Sequence, residues 1–309
     1  MLDPHRDLSE RLVFGTAALG LDYGLARSDA AGPRSTMPSL DQAKALVRSA
    51  HEAGMRTFDT APAYGESEAR LGAALEGVDG PGTVVWTKVG RVERLDDSLG
   101  ETLERSLESS LAKLHRSHVE LLQWHNWTAS LAESEHFRAA WQRLANDPRV
   151  RALGATTYGI EDARAAIESG LFRVVQVEWN LLRPIVVDSV GALAKARGVA
   201  LSVRSVYLQG ALTDEGRKLP SLPTLEAGVR RARALAKDNG VGLTALALRA
   251  ALEHEHISRV LVGIDRVEQV REAIAIAKGP ALAPDARGSL ASLSLGDDPA
   301  ADPRTWKLS

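Results

Sequence analysis

The chain reads as a single (β/α)8 TIM barrel, an α/β fold, on three observations. Short apolar runs alternate with longer segments of helical spacing almost to the C-terminus, and eight such units can be marked. The runs are apolar on both faces, as parallel strands buried beneath helices are. Eight strand–helix units also account for 309 residues as one domain rather than two. The rival doubly wound sheet would carry a Gly-x-Gly-x-x-Gly turn after an early strand, and the sequence has none.

The first strand is expected at residues 12–16, followed by a loop over 19–39 that is rich in Gly, Pro, Ser and Asp and long enough to carry function. Ser39 stands at an N-cap with Gln42 at the capping-box position, and Leu40, Ala43, Leu46, Val47 and Ala50 share one helical face up to Gly54. Strand two covers 56–60, a short helix 66–75, a Gly/Pro turn 77–82 and strand three 83–89. The helix at 96–114 aligns Leu99, Leu103, Leu107, Leu111 and Leu114, and strand four is 119–124. Helix 133–145, strand 150–156, helix 161–169 and strand 174–179 continue the alternation. A helix at 187–196 with Gly198 after it, a strand at 200–206, helices at 225–238 and 243–253, a strand at 259–263 and a helix at 267–277 complete the core, 12–277. Residues 279–309 form a C-terminal extension that either drapes over the barrel or stays partly disordered.

Composition narrows the partners. Hydrophobic residues at 44% and charged residues at 25% suit a globular chain with a sizeable core. A formal net charge of -2 carries no basic footprint for nucleic acid or a membrane surface, so small molecules are the expected partners. The absence of cysteine excludes disulfides, thiolate catalysis and cysteine metal sites. The N-terminus has no apolar stretch of signal-peptide length and no membrane-spanning run follows, so a cytoplasmic location is expected. Nothing in the sequence indicates an oligomeric state.

In a barrel of this kind the active site lies at the C-terminal ends of the strands. Collecting polar residues there gives Asp59 with Tyr64 just beyond strand two, Lys88 at the end of strand three and His125 at the end of strand four. Asp59 and Lys88, paired, would offset each other's desolvation, and the Lys88 ammonium beside Tyr64 would stabilise a phenolate. Tyr64 then becomes a usable proton donor, and His125 can hydrogen-bond a bound carbonyl. Protonating a carbonyl oxygen needs a nucleophile at carbon, for which a hydride from a nicotinamide cofactor is the natural candidate. Each residue alone has a plainer reading: Asp59 with Lys88 as a structural ion pair, His125 as a satisfied strand-end histidine. His254 and His256, flanked by Glu253 and Glu255, look like a metal cluster but fall at a helix end, where a capping or surface role is expected, and no metal is expected elsewhere.

The ordered set of motifs resembles the aldo-keto reductase family. Phe14-Gly15-Thr16-Ala17, Asp59-Thr60-Ala61-Pro62-Ala63-Tyr64-Gly65, Thr87-Lys88, His125, Gly154-Ala155-Thr156-Thr157, Gln176-Val177-Glu178-Trp179-Asn180 and Gly263 with Glu268-Gln269 occur in order between residues 12 and 277. The resemblance implies reversible NAD(P)H-dependent reduction of an aldehyde or ketone, with Tyr64 as general acid, Asp59 and Lys88 tuning it and His125 placing the substrate. It further implies cofactor contacts from Gly15, Thr16, Ala17, Asp59, Thr156, Thr157, Gln176, Arg204, Ser205, Val206, Leu208, Gly210, Gly263, Arg266 and Gln269. Gln176 and Thr157 would hold the carboxamide, and Ser205, Leu208 and Gly210 the pyrophosphate. Tyr23, Trp124 and Trp127 are expected to line the substrate pocket, and the loop Gly20-Leu21-Asp22-Tyr23-Gly24-Leu25-Ala26 suggests sugar-like carbonyls. The rival within the same ancestry is a non-catalytic, cofactor-sensing barrel subunit; a metal-dependent barrel hydrolase would need more His and Asp at strand ends.

The chain departs from the family pattern at three places. Thr156-Thr157 stands where many members have Ser-Asn, and Arg204 where many stack an aromatic ring on the nicotinamide. An arginine there can still stack but should disfavour the cationic oxidised ring. Gly263, Gln269 and Ala273 occupy positions where NADPH-specific members carry Lys, Arg and Asn, while Arg266 or Arg271 could reach a phosphate that Asp265 opposes. The family default, NADP(H), is expected, with NAD(H) possible.

Overall fold

The computed structural model describes residues 7–27, 36–78, 80, 82–215 and 217–306. Eight parallel strands close into a barrel in sequence order, β1 (Leu12–Gly15), β2 (Thr57–Asp59), β3 (Val84–Lys88), β4 (Leu121–Trp124), β5 (Leu153–Thr156), β6 (Val174–Glu178), β7 (Ala200–Arg204) and β8 (Ile257–Gly263), with β8 pairing back onto β1. The helices are α1 (Ala17–Gly20), α2 (Leu40–Glu52), α3 (Ser67–Leu75), α4 (Leu99–Leu114), α5 (Glu135–Ala145), α6 (Gly159–Glu168), α7 (Ile185–Ala196), α8 (Pro223–Asp238), α9 (Leu243–Glu253), α10 (Val267–Lys278) and α11 (Pro284–Ser289). Parts of the expected loop 19–39, the turn 77–82 and the extension 279–309 lie outside the described residues.

The capping box at α2 forms as its sequence predicts. Ser39 Oγ accepts from the Gln42 N–H (3.2 Å), Gln42 Oε1 accepts from the Ser39 N–H (2.8 Å), and Ala43, Leu46, Val47 and Ala50 are buried. Several strands are shorter than expected, because pairing fades where chains leave the barrel. Residues 119 and 150, for instance, are joined only by an isolated bridge.

The two-residue pleat decides what enters the barrel. Val13, Trp86, Leu121 and Leu261 point inward and pack as a separate apolar plug. Two residues further along, Lys88 and Gln123 take the same inward face as Trp86 and Leu121, where they meet Asp59 of β2. A polar layer therefore rests on an apolar floor at the C-terminal mouth.

The described part of the extension, up to Trp306, lies against the loops at that mouth. The Leu295 N–H donates to the Leu182 carbonyl (2.8 Å), Arg183 pairs with Asp297 (2.5 Å), and the buried Trp306 indole donates to the Ala300 carbonyl (3.0 Å).

Candidate active site

Asp59 is the hub of the polar layer. Lys88 Nζ donates to its Oδ1 (2.7 Å) and to the Thr60 carbonyl (2.9 Å), while Gln123 Nε2 (2.9 Å) and Gln176 Nε2 (3.1 Å) both donate to Oδ2. The two charged side chains are 0% and 2% exposed, so the pair sits out of water and its remaining lone pairs are met by amides. Burial pushes the Lys88 ammonium down, but Asp59 and then Tyr64 hold it above its ordinary value, and it stays charged. Gly154 makes the network possible: a side chain there would come within 3.2 Å of Gln123 Cγ and 2.9 Å of the Val174 carbonyl oxygen.

Tyr64 follows β2 on a turn fixed by α1, a short helix that runs into the start of the stretch expected as loop. A side chain at Gly20 would fall 2.0 Å from the Tyr64 carbonyl oxygen, and one at Gly65, whose φ is +57°, would fall 2.4 Å from the Gly20 oxygen. Ser67 Oγ joins the same turn to β1 by donating to the Thr16 carbonyl (2.9 Å). The result holds the Tyr64 ring centre 4.8 Å from Lys88 Nζ and 5.9 Å, edge to face, from the His125 ring. Burial, then the Lys88 charge, lowers His125 to about 4, with Asp59 opposing and Arg204 adding to the lowering. His125 is therefore neutral at pH 7, a hydrogen-bonding group rather than a proton source.

Tyr64, Lys88 and His125 open onto a pocket of about 900 Å³ that also touches Ala17, Tyr23, Thr156, Gln176, Arg204 and Ser205, while Asp59 is outside its lining. It shares Tyr23, Ser205 and Gln209 with a neighbouring groove of about 1090 Å³, which runs along Val206, Leu208 and Gly210 to Gly263 and Gln269. The backbone there turns through left-handed conformations at Ser205 (φ 66°), Leu208 (φ 48°) and Gln209 (φ 54°), which are costly for non-glycine residues and recur at ligand clamps. Gln209 Oε1 is buried without a hydrogen-bond partner. An acceptor waiting in a groove that joins the Tyr64 pocket fits an elongated, polar cofactor.

Several expected contacts fall elsewhere. Trp124 and Trp127 do not line the pocket. Gln123 points inward, so the pleat turns Trp124 outward onto Phe137 (5.0 Å) and Trp141 (5.8 Å), and Trp127, fully buried, packs on Phe172 at 5.4 Å. The Thr16 hydroxyl is spent on the Asp59 carbonyl (2.9 Å), and Thr157 is buried away from the pocket with its hydroxyl unpartnered. Arg266 is turned to Glu215 and Asp265 and stands outside the groove lining. Arg204 donates to the Gln176 and Thr157 carbonyls (3.0 and 2.9 Å), with its guanidinium 4.3 Å from the Tyr158 ring centre. His254, at the end of α9, meets Asp188 (3.3 Å) and packs edge-on to Trp179.

Some residues that shape the site carried no decisive sequence signal. Gln123 could have been found by parity, two residues before His125 on one strand face. Tyr158 could not, nor could Asp302 and Arg304 of the extension. Arg304 places its guanidinium 3.8 Å from the Tyr158 ring centre and chelates Asp302, and both line the pocket.

The aldo/keto reductase family profile matches residues 11–291. The chain belongs to the aldo/keto reductase family. Family membership makes it an oxidoreductase. L-galactose dehydrogenase of Arabidopsis thaliana is 30% identical over 85% of the chain and 82% of that protein. D-threo-aldose 1-dehydrogenase of a Pseudomonas species is 28% identical over 84% and 89%. Among solved structures, an aldo-keto reductase from Bacillus halodurans in its holo form superposes with a TM-score of 0.76 at 20% identity, covering 92% of this chain and 91% of that one, and so supports the fold.

Proposed function

We propose that this family member reversibly reduces an aldehyde or ketone to an alcohol with a nicotinamide dinucleotide, Tyr64 moving the proton. The observation that carries the reading is the Tyr64 ring 4.8 Å from an ammonium that is itself locked by a buried carboxylate, in the pocket that adjoins the groove. The bound nicotinamide would supply the hydride to the carbonyl carbon. Tyr64 then gives its phenolic proton to the carbonyl oxygen, the charge left on it is stabilised by Lys88, and solvent restores the proton. Neutral His125 orients the carbonyl by hydrogen bonding, and Asp59 holds Lys88 in place. Gln176 keeps its carbonyl end for a carboxamide while its amide nitrogen is tied to Asp59. Gly15, Ala17, Thr156, Ser205, Leu208 and Gly210 complete the proposed cofactor contacts.

The substrate is proposed to be a hydroxyl-rich, sugar-like carbonyl compound. Asn126, Glu178, Asn180, Asp302 and Arg304 around the pocket offer donors and acceptors to several hydroxyls, and two relatives are named for galactose and aldose oxidation. Turnover of 4-nitrobenzaldehyde with a reduced nicotinamide cofactor tests the chemistry. We expect Tyr64→Phe to lower it by about 10²- to 10⁴-fold while cofactor binding is retained. A wild-type protein that binds cofactor without turnover would leave only a binding or regulatory role.

A further inference from the structure

If the reactive ring lies beside Tyr64, a dinucleotide following the groove past Ser205 and Gly210 brings its adenylate to the end between α9 and α10. Among the described residues, four carboxylates line this groove, those of Asp214, Glu215, Asp265 and Glu272, against one arginine, Arg217. Arg217 stands mid-groove, because a side chain at Gly210 would come within 2.9 Å of its Nε. It is paired there with Glu215 (2.6 Å) and donates to the Leu25 carbonyl (2.9 Å). Arg266 is paired with Glu215 and with Asp265 (3.4 Å), and the exposed Arg271 lies outside the lining.

The backbone at this end is partly taken. A helix N-terminus is a ready phosphate site, but a carboxylate already occupies that of α9, and a glutamine side chain takes the N–H groups just ahead of α10. Asp214 accepts from the Leu243 and Thr244 N–H groups at the start of α9 (2.8 and 3.1 Å). Gln269 Oε1 accepts from the Asp265 and Arg266 N–H groups at the start of α10 (2.9 and 3.2 Å). Partial burial, and then the Asp214 charge, hold the Glu272 carboxyl above its ordinary value, with Arg266 opposing.

We propose that this end of the groove selects a dinucleotide whose adenosine ribose carries free hydroxyls, NAD(H), and rejects the 2′-phosphate of NADP(H), with Asp265 and Glu272 as the discriminating residues. Carboxylates accept hydrogen bonds from ribose hydroxyls and repel a phosphate dianion, so one pair of side chains supplies both attraction and exclusion. The preference is the reverse of the family default, and it rests on the groove being the dinucleotide site proposed above.

The test is direct binding, followed by quenching of tryptophan fluorescence as the full chain is titrated with NADH, NADPH, 5′-AMP and 2′,5′-ADP. We expect NADH to bind about tenfold or more tighter than NADPH, 5′-AMP to outbind 2′,5′-ADP, and both gaps to narrow in high salt. Glu272→Gln, at the exposed rim, and Asp265→Asn should each tighten NADPH more than NADH. Equal or tighter binding of NADPH overturns the inference and leaves the dinucleotide site standing, as does a gap that neither variant nor the pair of them moves. Failure of every probe to bind removes the dinucleotide site and the inference together.

Discussion

Replacing Lys88 by Met isolates what the buried ion pair does. The ammonium is 2.7 Å from Asp59 Oδ1 with both side chains out of water, so the gross attraction at an effective dielectric near 20 is about 6 kcal/mol. Removing the lysine also removes its own desolvation cost, which offsets part of that figure. Asp59 keeps two amide donors, Gln123 and Gln176, but is left as a buried charge with no cation. Breaking such a pair typically costs about 3–5 kcal/mol, and the surviving amides argue for about 3 kcal/mol here. Urea unfolding followed by circular dichroism should show that loss for Lys88→Met and recovery of most of it in Asp59→Asn/Lys88→Met, which removes both charges. A loss below about 1 kcal/mol in the single variant, or a double variant no more stable than the single, would refute the argument that the pair is coupled through burial.

His125 and Arg204 give two further tests. The His125 value of about 4 in the folded chain lies below the ordinary 6.5, so its contribution to stability is fully present above about pH 6.5 and is lost as the pH falls towards 4. Unfolding free energies measured at pH 7.5 and 4.5 should therefore diverge by up to about 3 kcal/mol more in the wild type than in His125→Gln, and parallel curves would contradict the assignment. Arg204 puts a fixed positive charge in the pocket, with Glu178 3.6 Å away offsetting part of it. Arg204→Gln should raise affinity for the oxidised cofactor relative to the reduced one by about fivefold, read by competitive titration, and equal changes for both forms would sink the idea.

The strand–helix alternation was legible because it is written locally. A buried parallel strand needs apolar residues on both faces, and an amphipathic helix needs them every three to four positions, so eight units could be marked without knowing how they meet. The Ser39–Gln42 cap was legible for the same reason, since both partners lie within one turn. The quartet of Asp59, Tyr64, Lys88 and His125 emerged because a barrel gathers the ends of its strands: two of the four end strands, and His125 directly follows β4. Trp124 was misassigned by one residue of parity: a strand turns neighbours to opposite faces, and the inward place belongs to Gln123.

The sequence by itself determined the barrel, the family and the identity of the groups at its mouth, all of which follow from short-range spacing and composition. The tertiary structure alone decided which distant groups share a surface. Closure of β8 onto β1 and the path of the following helices bring Asp214 and Glu215 from one loop to Asp265 ahead of α10 and Glu272 on it. The same closure brings Arg304, from the last residues of the chain, to within 3.8 Å of the Tyr158 ring centre after β5. Such meetings depend on how a whole chain of strands and loops closes in space, and no local pattern of side chains records them.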